Sequence, residues 1–214
     1  MSSPLDRLDA IAEDIHSSFE QINQARDQAL KQARLLTRHC ARAIRAAHRD
    51  EHELVDSHLR DAGQLADALR TELSPYPELY FAGYTQDALK EYAEACIVKA
   101  LFNGSEIPSP QDLQLENNTY TKGLSEVVGE LRRRCLDILR HGYSDEAERL
   151  LTHMDDIYGM LITMDFPDAI TRGLRRQTDI ARGILERTRG DLTMSQRQQQ
   201  LQAALTQLES RLDA

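Results

Sequence analysis

Residues 5–49, LDRLDAIAEDIHSSFEQINQARDQALKQARLLTRHCARAIRAAHR, contain neither glycine nor proline. Leu5, Leu8, Ile11, Ile15, Phe19 and Ile22 recur at three- and four-residue steps, the spacing of one apolar helix face. The stretch reads as one long helix, and the rest of the chain continues in the same style. A second helix runs over 51–73 and ends at Ser74-Pro75-Tyr76-Pro77, where two prolines enforce a turn. A third covers 78–102 and stops at Asn103-Gly104, a C-terminal signal. Residues 105–116 (SEIPSPQDLQLE) form a polar, proline-containing loop.

A fourth helix is expected over 118–141, closed by Gly142, and a fifth opens at Ser144 and ends before Pro167. The sixth spans 167–188 with proline in its first turn. Arg189-Gly190-Asp191 reads as a break before a last, glutamine-rich helix over 195–212. No segment reads as a strand, and short connections favour antiparallel neighbours. The expectation is an all-α single domain over 1–214, a bundle of about seven antiparallel helices.

Composition agrees. A chain of 214 residues is long enough for a sizeable core. Its 41% hydrophobic and 29% charged residues are a globular balance, not a disordered one. Aromatics are 5% and tryptophan is absent, while Ala, Leu, Glu, Arg and Gln, all good helix formers, abound. Cys40, Cys96 and Cys135 are scattered with no CxxC pair, which fits a reducing compartment and buried helix positions. The N-terminal stretch carries Asp and Glu where a signal peptide would be basic and then apolar. No apolar run approaches the roughly 20 residues that span a bilayer. A cytoplasmic protein with no membrane partner is expected.

The formal charge of −9 argues against a nucleic-acid partner unless basic residues are gathered locally. They are. Arg34, Arg38, Arg42, Arg45 and Arg49 are spaced 4, 4, 3 and 4 apart, within an arc of roughly 80° on one helix face. Two readings stay open: a solvated face paired with acidic neighbours, or a track for phosphates, which arginine's planar fork suits.

Two carboxylate pairs also share helix faces. Glu91 and Glu94 lie in KEYAEA, and Glu126 and Glu130 in GLSEVVGELRRR. Glutamate pairs at helical spacing are common on solvated faces, but these sit among small and apolar residues, so each pair can face another helix. If the two faces meet, the pocket would hold Mg²⁺, or Mn²⁺ in its place, through oxygen ligands. Asp87 and Asp137 share these faces as outer groups. His48 and His52 have zinc-compatible spacing but lack the HExxH glutamate. No glycine-rich phosphate loop, GxSxG or Rossmann fingerprint is present, which excludes nucleotide-dependent chemistry by those routes.

ARAIRAAHR, YFAGYTQDALKEYAEA, YTKGLSEVVGELRRRCLDILRHG and PDAITRGLRRQTDIARGILERTRGDLT resemble the translin/TRAX family in order and spacing. The third is the most specific. The resemblance runs from about residue 20 to 193 and looks closest to archaeal TRAX-like members, the nuclease subunits of C3PO. It implies subunits assembled into a hollow octamer enclosing RNA, with TRAX-type members acting as Mg²⁺-dependent endoribonucleases. Translin-type members chiefly bind RNA or single-stranded DNA. By position, Glu91, Glu94, Glu126 and Glu130 would be the metal-binding and catalytic set, with Glu126 standing where TRAX typically has Asp. Arg34, Arg38, Arg42 and Arg45, with Arg49 at the end of the stripe, would contact RNA. The expected protein is a homo-oligomeric endoribonuclease acting on single-stranded or short duplex RNA. A non-catalytic RNA or single-stranded-DNA binder is the alternative.

Overall fold

The computed structural model describes Leu5 and residues 7–212. Eight helices follow one another: α1 Leu8–His48, α2 His52–Glu72, α3 Pro77–Tyr80, α4 Gly83–Asn103, α5 Asn117–Leu139, α6 Asp145–Ile162, α7 Asp168–Thr171 and α8 Leu174–Leu212. Among the described residues there is no strand. The all-α expectation holds, with six long helices and two single turns.

Three boundaries differ from the sequence reading, each for a local reason. The third expected helix is divided at Phe81 and Ala82, where Thr85 Oγ1 donates to the Leu79 carbonyl at 2.8 Å and Gln86 Nε2 to that of Tyr80 at 2.9 Å. These side chains occupy carbonyls that a continuous helix would have used. The sixth is divided where Arg172 and Gly173 adopt left-handed backbone (φ 48° and 90°), a conformation that ends a helix. The expected break at Arg189-Gly190-Asp191 does not occur, because α8 runs through it. Glycine costs a helix interior about 1 kcal/mol. Docking on α5 outweighs that: Leu185, Thr188 and Leu192 are buried, while Arg132 reaches Thr188 Oγ1 at 2.9 Å and Asp191 at 2.8 Å.

The core is one cluster. α1 packs along α2 and α4, α4 along α5, and α5 against α6 and α8. Alanines do much of this work: Ala29, Ala33, Ala62, Ala66, Ala88 and Ala93 are all nearly inaccessible, so the backbones approach closely. One such close approach is at Gly123 of α5. A β-carbon there would lie 2.8 Å from both Ala93 Cβ and the Lys90 carbonyl of α4, closer than side chains tolerate. That contact positions the acidic faces.

Both ends of the long helices extend past the core. The apolar face of early α1 (Leu8, Ile11, Ile15, Phe19) is exposed, as are Leu201, Leu205 and Leu208 of α8. The periodicity that marked α1 as amphipathic therefore describes a face left unburied within the subunit. No helix among the described residues is long and apolar enough to cross a membrane.

Candidate metal centre and nucleic-acid face

Glu91 and Glu94 leave α4 one turn apart, and Gly123 brings α5 close enough for Glu126 to meet them. One carboxylate oxygen from each of the three lies within 4.8 Å of the others. Glu94 is only 7% exposed. Burial, followed by the charges of Glu91, Glu126 and Glu130, pushes its carboxyl up to about 8. Like charges held this close cannot all ionise without a cation among them.

Lys90 supplies one. Its Nζ is 2.5 Å from Glu126 Oε2 and 3.2 Å from Glu91 Oε1. Burial works against this ammonium, but the bond to Glu126, with the charges of Glu126 and Glu91, outweighs it and holds Lys90 above its usual value. The ammonium stands where a metal's positive charge is called for. The donors suit a hard cation: three carboxylates, of which the buried Glu94 is outside the ion pairs of Lys90.

Glu130 is turned aside. Its Oε2 accepts from His48 Nε2 at 2.5 Å, and this bond, ahead of the opposing burial and the charges of His48 and Arg133, holds its carboxyl below the usual range. His48 is almost wholly buried and stacks edge-on against Phe102, ring centroids 5.2 Å apart. The pair links the end of α1 to α5 beside the acidic centre. Cys40, four-fifths of the way along α1, also backs onto this centre: burial, Cys96, Glu91 and Glu94 all push its thiol up. The thiols of Cys40 and Cys135 are buried, and all three cysteines are free.

Not every sequence candidate converges. Asp87 and Asp137 are exposed. Neither belongs to a metal-compatible cluster among the described residues. His48 and His52 likewise form no joint site: His48 is committed to Glu130, and His52 opens α2 in solvent.

The arginine stripe lies opposite α1's buried face. Arg34, Arg38, Arg42, Arg45 and Arg49 are all exposed. Among the described residues only Arg49 has an ion-pair partner, Glu51 at 2.5 Å. The reading in which acidic neighbours neutralise the other four finds no pairs within the subunit.

Solved structures resemble this chain over most of its length. AfC3PO, determined in complex with duplex RNA, is 33% identical with a TM-score of 0.80, covering 86% of this chain and 96% of its own. A crystal structure of AfC3PO gives 32% and 0.79. An uncharacterised protein of Methanocaldococcus jannaschii is 35% identical over 173 residues, 79% of this chain and 76% of its own. Apo-NeC3PO, at 20% identity and a TM-score of 0.79, shares the fold. No family model matches the chain.

The chain belongs to the translin/TRAX family. Of the four glutamates, this chain brings Glu91, Glu94 and Glu126 together and leaves Glu130 on His48. Glu126 places its carboxylate oxygen 2.5 Å from the Lys90 ammonium. Sequence reasoning missed two participants. Lys90 directly precedes Glu91, and a lysine one turn from Glu94 in KEYAEA was a usable sign of charge compensation. His48 carried no such sign, since its partner is 82 residues away.

Proposed function

We propose that this translin/TRAX-family protein is an Mg²⁺-dependent endoribonuclease that binds RNA along the α1 arginines and cleaves its phosphodiester backbone. The observation that carries the reading is the meeting of Glu91, Glu94 and Glu126 within 4.8 Å, with Glu94 driven towards protonation until a cation compensates it. A divalent ion held there would lower the pKa of bound water and offset charge developing on the phosphate. Glu91, Glu94 and Glu126 would hold the ion, with Mn²⁺ as a substitute. Glu130, fixed by His48, would orient water at the edge of the site. Lys90 would release the carboxylates on metal binding and offer its ammonium to the phosphate.

Four exposed, unpaired arginines on one face suit phosphates, and the relative solved with duplex RNA supports that ligand class. The exposed apolar faces at the start of α1 and the end of α8 support assembly into a homo-oligomer, an octamer enclosing RNA by the family resemblance. Glu91→Ala and Glu126→Ala are expected to retain RNA affinity and lose EDTA-sensitive cleavage. Cleavage by both variants equal to the parent's rejects the site.

One observation favours a second reading, a non-catalytic binder of RNA or single-stranded DNA. Lys90 already engages two of the three carboxylates. A binder of this kind shows steep salt dependence, with a log–log slope of about 0.7 per phosphate contact for single strands, and no EDTA-sensitive cleavage by the parent.

A further inference from the structure

The C-terminal part of α1 and the N-terminal half of α2 bring a second set of ligands together, separate from the glutamate cluster. One ring nitrogen each of His39 and His58 and one carboxylate oxygen of Asp61 lie within 4.8 Å of one another. His39 stands on α1, while His58 and Asp61 are three residues apart on α2. The two rings meet edge to face, centroids 5.4 Å apart.

Two separate facts point to a ligand. The Nδ1 atoms of His39 and His58 are both shut off from solvent and take no hydrogen bond. An unpaired buried ring nitrogen is costly, and here two occur at one place. Second, His39 Nδ1 is 3.4 Å from Asp61 Oδ2 without forming a hydrogen bond to it. A tetrahedral ion with ligands at about 2.0 Å separates neighbouring ligand atoms by roughly 3.3 Å.

We propose that His39, His58 and Asp61 form a transition-metal site, of the Zn²⁺ class, that clamps the arginine-bearing helix α1 to α2. Two imidazoles and one carboxylate match borderline cations rather than Mg²⁺. Asp61's side chain is half exposed, which leaves a path for entry and a fourth position for water. The two centres would sort cations by donor type: oxygen-only Glu91, Glu94 and Glu126 for Mg²⁺, nitrogen-containing His39, His58 and Asp61 for zinc.

Cobalt titration of the chelator-stripped full chain tests this. The parent is expected to take one four-coordinate Co²⁺ per chain, seen as intensified visible absorption and displaced by Zn²⁺. His58→Gln and Asp61→Asn should weaken this four-coordinate binding by about 100-fold or more. No intensified absorption in the parent, or undiminished binding by a folded His58→Gln, overturns the proposal. X-ray absorption of the zinc-loaded parent gives a readout that needs no variant. Backscattering from two imidazoles is expected; a shell of oxygens alone overturns the site.

Discussion

Glu94 lies in the α4–α5 interface, its carboxyl pushed up to about 8 by burial and by three neighbouring glutamates. Its folded value is raised, so between the unfolded value of 4.5 and about 8 the native state holds a proton that the unfolded chain has lost. Stability from this group is therefore full below pH 4.5 and declines as pH rises towards 8, by up to about 1.4 kcal/mol per pH unit. Thermal melts of metal-free protein should show that decline, and Glu94→Gln should flatten it. Mg²⁺ should stabilise the parent more at pH 8 than at pH 6, because binding must displace the proton. Lys90 opposes the metal from the same side. Lys90→Met should lower the melting temperature of the metal-free protein and tighten Mg²⁺ binding by about tenfold, since two partly buried ion pairs no longer compete. Calorimetric titration reads this directly; unchanged affinity would mean that the ammonium does not occupy the metal's place.

At the scale of elements, the α4–α5 contact decides whether the carboxylates meet. Gly123→Ala places a methyl against Ala93 and the Lys90 carbonyl. It should cost about 1–3 kcal/mol in denaturant melts and reduce cleavage, because α5 must shift and take Glu126 with it. The long helices and their faces were legible in the sequence because apolar spacing and proline act locally. The pairing of the two acidic faces was legible only as a possibility, since close approach depends on a small residue, Gly123, whose partner lies 30 positions away. Gly190 misled: its helix-breaking tendency was outweighed by the burial of Leu185, Thr188 and Leu192. Conversely, Arg172 gave no warning of its left-handed backbone. The His39, His58 and Asp61 group was invisible for the same reason as His48 and Glu130, because helix packing, not spacing, brings those residues together.

For the whole molecule, an acidic chain carries an exposed basic ridge on α1 and unburied apolar faces at the ends of α1 and α8. Phe19, 67% exposed, and Ile15 lie on the α1 face. If that face joins subunits, Ile15→Glu with Phe19→Glu should lower the mass found by light scattering with no loss of helix by circular dichroism. An unchanged mass would assign the assembly to other surfaces. Arg38→Ala with Arg42→Ala should weaken RNA binding and reduce the log–log salt slope by about 1.4 for two lost single-strand contacts. An unchanged slope would remove the ridge from the RNA path.

Metal-dependent cleavage requires that Glu91, Glu94 and Glu126 share a single divalent ion. Anomalous diffraction from crystals soaked in Mn²⁺, the visible substitute for Mg²⁺, addresses this without relying on activity. The prediction is one peak bound by oxygens of all three glutamates, at distances near the ~2.1 Å typical of Mg²⁺, with the Lys90 ammonium displaced from Glu126. A map with no peak there, and Lys90 still bridging Glu91 and Glu126 at saturating Mn²⁺, would contradict it.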